Sequence, residues 1–215
     1  ISEDETIISR QLRMLEAVDV EEVIITTGYY DKVLTDYVDS LNVSIPVKYV
    51  NNSRYSETNY IYSIYCAKEM LDDDLILMHG DLVFAKSVIE DIASFDGSCM
   101  TISSTVELPE KDFKAVCYSI GDTKYIDKVG IEYFDNAVTA QAMYKLNQND
   151  LRVWLDSIIE FCESGNTGCY AENALNVVSH KCRIETYDYQ GLLCAEIDNI
   201  QDLECVKNRL ALLSE

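Results

Sequence analysis

The chain has 215 residues, which is enough for one domain with a hydrophobic core, and its composition of 48% hydrophobic and 26% charged residues is typical of a soluble globular protein. Its formal net charge of −21 argues against sequence-independent binding to DNA or RNA, because the protein and the phosphates would repel each other. An anionic ligand would need a local cation to offset this charge, and a divalent metal ion is the natural candidate.

The first half of the chain alternates between helical and extended patterns. The predicted segments are, in chain order, a helix over residues 6–18, a strand over 23–27, a helix over 31–41, a strand over 45–52, a helix over 59–71, a strand over 75–79 and a helix over 86–94. Thr6 is the predicted N-cap of the first helix, and Gly28 ends the first strand. The strands are continuous apolar runs, which is typical of strands covered on both faces. This order predicts a mostly parallel α/β sheet.

The second half begins with short strands and ends with helices. The predicted segments are strands over residues 98–104, 114–120, 124–130 and 141–146, helices over 149–164 and 171–179, a strand over 183–189, an extended piece over 192–198 and a helix over 200–213. Neither an internal repeat nor a linker interrupts the chain. We therefore predict a single domain over residues 1–215, with a three-layer α/β/α, Rossmann-like fold, a mixed and mostly parallel sheet, and an inserted β portion.

The cysteines and the termini bear on the compartment. None of the eight cysteines forms a CxxC pair, so reduced core cysteines in a cytoplasmic protein are favoured over disulfides or a zinc site. The sequence contains neither a signal peptide nor an apolar run that could span a bilayer, so no membrane partner is predicted. The chain starts at Ile1, almost within a helix, which suggests that an upstream segment is missing.

Two aspartates follow predicted strands and are the first candidate site. Asp81 lies in "LILMHGDLVF", and Asp198 ends "LLCAEID". Ligands of doubly wound sheets bind at the carboxyl ends of strands, and Mg²⁺ prefers one or two carboxylates together with water and substrate phosphates. The pair therefore predicts a Mg²⁺ site. Two alternatives stay open, namely that Asp81 caps the helix over residues 86–94 or holds a turn, and that Asp198 or Asn199 caps the last helix.

A polar loop and the helix after it are the second candidate. In "NNSRYSETNYIYSIYCAKEM", the start of the helix carries Thr58, Asn59 and Ser63. The free N–H groups of a helix start suit a nucleotide base or ribose. The alternative is an exposed cap, with the tyrosines of this segment packing around the helix.

Other polar residues each have a structural explanation of their own. Glu172 opens a helix, where a carboxylate is favoured by the helix dipole without any ligand. Tyr144 lies in a strand, where a core position is more common than a ligand contact. Lys114 could contact a phosphate, although a solvated lysine is the simpler explanation. His79 is expected to be a packed core histidine, and His180 to lie in a surface loop.

Several segments resemble the nucleotidyltransferases that activate sugar 1-phosphates and phosphocholine. The matching segments are "EEVIITTGYYDKVLTDYV", "NNSRYSETNYIYSIYCAKEML", "DDDLILMHGDLVF", "YAENALNVV" and "LLCAEIDNIQDLECVKN", which together run over nearly the whole chain. The Gly-Asp and Glu-Ile-Asp motifs, at their separation along the chain, are the most specific part. The sequence is most similar to the choline-phosphate cytidylyltransferases, which use CTP.

The resemblance implies a role for each candidate residue. Asp81 and Asp198 would be the catalytic residues and the ligands of Mg²⁺. The nucleotide would contact Thr27, Gly28, Thr58, Asn59, Ser63 and Gly80. The acceptor would contact Tyr144, Glu172, Glu196 and Lys114, and acidic or aromatic groups in such a pocket suit an ammonium group.

The sequence departs from the family in two places. The first strand of the family, with its Gly-rich loop carrying an Arg and the Lys that follows, is absent from this chain. The choline branch places a Trp beside the Tyr of the acceptor motif, whereas this chain has Ala171 there and its one tryptophan, Trp154, lies in a helix. A different phosphorylated amine, a polyol or a sugar phosphate therefore stays open as the acceptor.

The predicted function is Mg²⁺-dependent transfer of a cytidylyl group from CTP to a small phosphorylated alcohol such as phosphocholine, with release of pyrophosphate. One alternative is a sugar-1-phosphate nucleotidyltransferase that uses UTP or dTTP. Another is a non-catalytic binding domain that has lost the triphosphate loop. The predicted partners are CTP and the acceptor, without nucleic acid, and the sequence leaves open whether the protein is a homodimer.

Overall fold

The computed structural model describes residues 1–2 and 4–213. Its helices are α1 (Ile7–Glu16), α2 (Asp31–Ser40), α3 (Tyr60–Ala67), α4 (Lys86–Ser94), α5 (Gln148–Glu163), α6 (Ala171–Val178) and α7 (Ile200–Leu210). Its strands are β1 (Val23–Thr27), β2 (Val47–Asn51), β3 (Leu75–Met78), β4 (Leu82–Phe84), β5 (Ser98–Ser103), β6 (Lys114–Ile120), β7 (Thr123–Gly130), β8 (Ala137–Leu146), β9 (Ile184–Asp188) and β10 (Cys194–Glu196). Every predicted helix and strand overlaps one of these elements, and β4 is a strand that the sequence patterns did not predict.

A capping box explains where α1 begins. The hydroxyl of Thr6 accepts a hydrogen bond from the backbone N–H of Ser9 at 3.1 Å, and the hydroxyl of Ser9 accepts one from the backbone N–H of Thr6 at 2.9 Å. These bonds satisfy N–H groups that the helix start leaves free, so the predicted cap is confirmed. The buried face of α1 includes Arg10 and Gln11, two polar side chains that reach the strands of the candidate site.

The sheet topology corrects one prediction. The largest sheet has the order β3-β8-β5-β9-β7-β6, and β8 also pairs with β6, so that β8, β5, β9, β7 and β6 close into a ring. Among the described strand pairs, β1 with β2 and β5 with β9 are parallel, and the others are antiparallel. The sheet is therefore mixed, as predicted, but the expectation that it is mostly parallel is wrong.

The prediction of a mostly parallel sheet is wrong because an apolar run in the sequence does not indicate strand direction. A continuous apolar strand indicates burial on both faces but not the direction of its neighbours. Direction here depends on connections such as the tight hairpin between β6 and β7, where Gly121 has a φ of +62° that favours glycine. Such hairpins force antiparallel pairing.

The helices pack on both faces of the central strands. Met143 and Tyr144 are neighbours on β8 and point to opposite faces of the sheet, because side chains alternate along a strand. Tyr144 lies in a core that includes Trp154 of α5, whereas Met143 lies in a core that includes Ile89 of α4. The mixed α/β fold therefore has a hydrophobic core on each side of the sheet.

A single apolar stretch of the sequence is divided between two strands. β3 pairs with β8, whereas β4 pairs with β10, and the turn over residues 79–81 separates them. The pairing of β4 with β10 puts Glu196 opposite Leu82. This arrangement brings the His-Gly-Asp turn and the Glu-Ile-Asp segment together at one edge of the fold.

Two further observations concern the whole chain. The eight cysteines are free thiols, and four of them are buried, namely Cys99, Cys162, Cys182 and Cys194. Of the helices in the described part of the chain, none has both the length and the apolar character that crossing a bilayer requires.

Candidate functional site

The site is built around the turn between β3 and β4. This turn carries His79, Gly80 and Asp81, and a side chain at Gly80 would meet only open space. The side-chain amide of Gln11, on α1, donates to the carbonyls of His79 and Leu82, each at 2.9 Å. Gln11 is only 5% exposed, so α1 holds the turn from within the protein.

Glu196 approaches this turn from β10. The backbone N–H of Ile197 donates to the carbonyl of Asp81 at 3.1 Å, which anchors the end of β10 at the turn. Glu196 Oε1 lies 2.8 Å from His79 Nδ1. A potential ligand atom from each of His79, Asp81 and Glu196 lies within 4.8 Å of the others, which makes the three a candidate metal-binding group.

Two polar atoms at the turn lack partners. Asp81 Oδ1 and His79 Nε2 are buried and have no hydrogen-bond partner in the described part of the chain. A buried polar atom without a partner costs about 1–3 kcal/mol. A divalent cation bound to Asp81 would satisfy the carboxylate oxygen, so the residues present fit such an ion.

The electrostatics of the turn support the same interpretation. Burial raises the pKa of the Asp81 carboxyl, and the nearby charges of Glu196 and Asp198 raise it further. The pKa of Asp112 is also raised, first by burial and then by the same two carboxylates. The site therefore concentrates negative charge that a cation would offset.

Neither aspartate caps a helix, whereas the alternative that Asn199 caps the last helix is confirmed, and Asp81 does lie in a turn. The N-cap of α4 is Ala85, without a side-chain bond, and Asn199 caps α7 by accepting from the N–H groups of Gln201 at 2.8 Å and Asp202 at 3.1 Å. Asp198 is exposed and lies near enough to Asp81 to affect its pKa, but it is outside the three-residue group described above. Joint binding of Mg²⁺ by Asp81 and Asp198 stays a prediction.

Glu172 is buried beside the turn and bonded to two tyrosines. It is 1% exposed, and it accepts hydrogen bonds from the hydroxyl of Tyr144 at 2.9 Å and from the hydroxyl of Tyr60. Burial raises its pKa to about 8, and the charge of Glu196 contributes in the same direction. The predicted acceptor residues Tyr144, Glu172 and Glu196 therefore lie together, and Glu172 is more than a helix-start carboxylate.

Four aromatic rings form a cluster that includes Tyr60, one of the hydrogen-bond partners of Glu172. The ring of Tyr60 meets that of His79 edge to face at 4.6 Å, and Phe113 meets Tyr170 in the same way at 5.2 Å. Tyr60 and Tyr170 are 6.2 Å apart, and His79 and Phe113 are 6.1 Å apart. Tyr170 is 37% exposed, so the ring cluster opens to solvent on that side.

The predicted nucleotide loop is organised by a buried asparagine. Asn52 is 2% exposed, and its amide donates to the hydroxyls of Thr58 and Ser63, each at 3.1 Å. Asn59 caps α3 by accepting from the N–H of Tyr60 at 2.7 Å, which confirms the predicted helix start. These bonds hold the loop in one conformation, and its contact with a nucleotide stays a prediction.

Thr27 and Gly28 lie where β1 ends, next to that loop. The hydroxyl of Thr27 accepts from the amide of Asn51 at 3.2 Å and donates to the carboxylate of Asp31. A Cβ at Gly28 would lie 3.1 Å from the side chain of Tyr55, so glycine allows the two segments to approach closely.

Lys114 is placed differently from the expectation. Its side chain is buried, and its ammonium donates to the carbonyls of Asp112 at 3.0 Å and Ile131 at 2.8 Å and lies over the ring of Phe134. The prediction that Lys114 is a solvated surface lysine is therefore wrong. The ammonium is engaged with backbone, and no described contact directs it toward a substrate phosphate.

Sequence reasoning missed four residues that shape the site. His79 was expected to be a core histidine but pairs with Glu196, Tyr60 bonds Glu172, and the amides of Gln11 and Asn52 hold the two loops. The only local signal for His79 was its place in "HGD", two residues before the aspartate. The roles of the others depend on contacts between segments far apart in the chain.

The fold is that of the nucleotidyltransferases. The structure of CTP:phosphocholine cytidylyltransferase from Streptococcus pneumoniae is similar with a TM-score of 0.71 at 17% identity, over 99% of this chain and 88% of that chain. The inositol-1-phosphate CTP transferase from T. maritima has a TM-score of 0.72 at 16% identity, over 95% and 82%. UDP-glucose pyrophosphorylase complexed with UDP-glucose has a TM-score of 0.75 at 14% identity, over 98% and 87%.

Two relatives are similar in sequence over part of the chain. CMP-5'-(3-aminopropyl)phosphonate synthase of Streptomyces rubellomurinus is 32% identical over 88 residues, 41% of this chain and 14% of the relative. CTP:phosphoglutamine cytidylyltransferase of Campylobacter jejuni is 24% identical over 92 residues, 40% of this chain and 35% of the relative. The chain thus spans well under two thirds of either relative. Residues 2–139, more than half of the chain, match the family described as "Domain of unknown function (DUF6564)", and the chain belongs to this family.

Proposed function

We propose that the protein is a cytidylyltransferase that transfers CMP from CTP to the phosphate of a small acceptor bearing a cationic nitrogen, such as phosphocholine. The observation that carries this proposal is the buried carboxyl of Glu172, which is hydrogen-bonded to two tyrosines, belongs with a cluster of aromatic rings and lies near enough to Glu196 for that charge to raise its pKa. The names of both sequence relatives and two similar structures point to cytidylyl chemistry.

The reaction needs positioning and charge neutralisation rather than a covalent nucleophile. A phosphate oxygen of the acceptor attacks the α-phosphorus of CTP, and the bond to the pyrophosphate oxygen breaks. Asp81, with Glu196 or Asp198, would hold a divalent ion such as Mg²⁺, which offsets negative charge on the phosphates. The loop arranged by Asn52 would bind the nucleotide, and Thr27 and Gly28 would lie at its edge.

The charge and the rings of the acceptor pocket favour a cation. Tyr60 and Tyr170 offer ring faces, and the carboxylate of Glu196 supplies negative charge. Burial keeps Glu172 largely protonated near neutral pH, and a bound ammonium would favour its ionised form. A quaternary amine, a primary amine and a neutral isostere of the same size therefore differ in how well they bind.

The test is a turnover assay with the full-length protein, CTP and a divalent ion. We expect CMP transfer to phosphocholine or to a phosphorylated primary amine, and at least about tenfold lower kcat/KM for 3,3-dimethylbutyl phosphate, which has the shape of phosphocholine without its charge. The substitution D81N should abolish turnover. E160Q on the exposed face of α5 is the matched control and should leave turnover unchanged.

Two outcomes would favour the other candidate functions. The similarity to UDP-glucose pyrophosphorylase supports a sugar-1-phosphate nucleotidyltransferase, and faster turnover of UTP or dTTP with a hexose 1-phosphate would overturn our proposal. Binding of CTP without turnover of any acceptor would instead indicate the non-catalytic binding domain.

A further inference from the structure

We propose that His79, Asp81 and Glu196 form a mixed imidazole–carboxylate site that binds Mn²⁺ in preference to Mg²⁺. His79 and Asp81 lie on the turn between β3 and β4, and Glu196 ends the neighbouring strand β10. Their potential ligand atoms lie within 4.8 Å of one another. The inference depends on the proposed function for its purpose, whereas ion binding is measured without any nucleotide.

The spacing within the group suits a metal ion. His79 Nδ1 and Glu196 Oε1 are 2.8 Å apart. Two ligands at right angles on an octahedral ion, with bonds of about 2.1 Å, lie about 3.0 Å apart. The two atoms thus already have nearly the separation of neighbouring ligands.

Burial gives a second and independent indication. Asp81 Oδ1 is buried and has no hydrogen-bond partner within the described residues 1–2 and 4–213. A buried carboxylate oxygen without a partner is unfavourable unless a ligand completes it. An ion bound at the turn would supply the missing partner of Asp81.

The imidazole decides which ion is favoured. Carboxylates suit Mg²⁺ and Mn²⁺ alike, whereas an imidazole nitrogen suits transition metals, and Mg²⁺ binds through oxygen and gives up its water reluctantly. A site with one nitrogen and two carboxylates therefore discriminates in favour of Mn²⁺. A site made by Asp81 and Asp198 alone would bind through oxygen only.

The surroundings of His79 hold the imidazole in place. The ring of Tyr60 meets it edge to face at 4.6 Å, and Phe113 lies on another side at 6.1 Å. Gln11 fixes the carbonyl of the same residue at 2.9 Å. These contacts restrict the orientations open to the imidazole before an ion arrives.

The experiment measures Mn²⁺ and Mg²⁺ binding to the full-length protein without an affinity tag and without nucleotide. Free Mn²⁺ is followed by electron paramagnetic resonance, and Mg²⁺ by its competition with Mn²⁺. We expect tighter binding of Mn²⁺ than of Mg²⁺, and electron spin-echo modulation from one coordinated nitrogen. H79Q should weaken Mn²⁺ binding by at least about tenfold, affect Mg²⁺ less, and remove the nitrogen signal.

The chain offers a matched control in its second histidine. His180 is exposed, so H180Q should leave both ion affinities and the nitrogen signal unchanged. D81N should abolish binding of both ions. Circular dichroism shows whether H79Q folds, and if it does not, the nitrogen signal of the unaltered protein decides.

Two results would overturn the inference. One is bound Mn²⁺ without nitrogen modulation, and the other is a folded H79Q that binds Mn²⁺ as tightly as the unaltered protein. Failure of the proposed function is a separate result, because nitrogen-coordinated Mn²⁺ in a protein that does not turn over CTP would leave the ion site in place. Conversely, CTP turnover by a protein whose bound Mn²⁺ has no nitrogen ligand would support the proposed function and overturn the inference about His79.

Discussion

Glu172 shows how one buried side chain can link stability to pH. It lies in the first turn of α6, with its carboxyl enclosed by Tyr60 and Tyr144. Both tyrosine hydroxyls donate to this carboxyl, and an ionised carboxylate can accept such bonds as well. Burial, and not these two bonds, therefore favours the protonated form in the absence of a cationic ligand.

The substitution E172Q should flatten the dependence of stability on pH. Burial raises the pKa of Glu172 from 4.5 to about 8 in the folded protein. The stability that its proton provides is fully present below pH 4.5 and is lost as the pH rises through about 8. Within that window the unaltered protein should lose up to about 1.4 kcal/mol per pH unit relative to E172Q, because the glutamine amide keeps a donor and an acceptor without ionising.

Urea unfolding at about pH 5, 7 and 9 measures this difference in the free energy of unfolding. The control is E160Q on the exposed face of α5, which should follow the unaltered protein at each pH. Parallel pH curves for E172Q and the unaltered protein would contradict the raised pKa of Glu172.

At the scale of elements, the relation between α1 and the turn before β4 is the most informative. α1 is amphipathic, but its buried face carries Gln11 and Arg10 toward backbone carbonyls of the β3–β4 region. A buried polar side chain that bonds main chain fixes a turn more closely than apolar contact does, because each bond has a direction. α1 therefore acts as a support for the residues that carry Asp81.

Replacement of this amide should loosen the turn. Q11M keeps the length of the side chain but leaves the carbonyls of His79 and Leu82 without the amide that bonds them. We expect a loss of about 1–3 kcal/mol in the free energy of unfolding. We also expect weaker binding of Mn²⁺, because the turn no longer holds Asp81 in place.

Thermal and urea unfolding measure the first effect, and Mn²⁺ titration measures the second. Q201M is the matched control, since Gln201 is exposed on α7 and its substitution should change neither quantity. If Q11M were as stable as Q201M, the amide of Gln11 would have no role in holding the turn.

At the scale of the whole molecule, the net charge of −21 sets the balance between attraction and repulsion. Like charges on one compact surface repel, which destabilises the folded state relative to the expanded chain. Salt screens this repulsion, because the Debye length falls from roughly 30 Å at about 10 mM to roughly 10 Å at about 100 mM.

Monovalent salt should therefore stabilise the protein. We expect the midpoint of thermal unfolding to rise when NaCl is raised from about 10 to about 100 mM in the absence of divalent ions. KCl should act equally if screening is the cause, and an uncharged solute at the same osmolality is the control. A midpoint that falls with salt would mean that attractive ion pairs outweigh the repulsion.

The sequence by itself determined the helices, most strands and the candidate residues around Asp81. Local signals suffice for these, since the cap at Thr6, the cap at Asn59 and the apolar runs act within a few residues. The resemblance to nucleotidyltransferases suggested Tyr144 and Glu172 as acceptor residues. The structure shows that these two side chains are in contact.

Only the tertiary structure decided the pairing of the strands and the composition of the site. The antiparallel pairing of β4 with β10 brings Glu196 within 2.8 Å of His79, although 117 positions separate the two residues in the chain. The hydrogen bonding of the Lys114 ammonium likewise depends on where the carbonyl of Ile131, 17 positions away in the chain, lies. Local patterns report which face of a segment is buried, whereas the partner across that face is set by the packing of the whole chain.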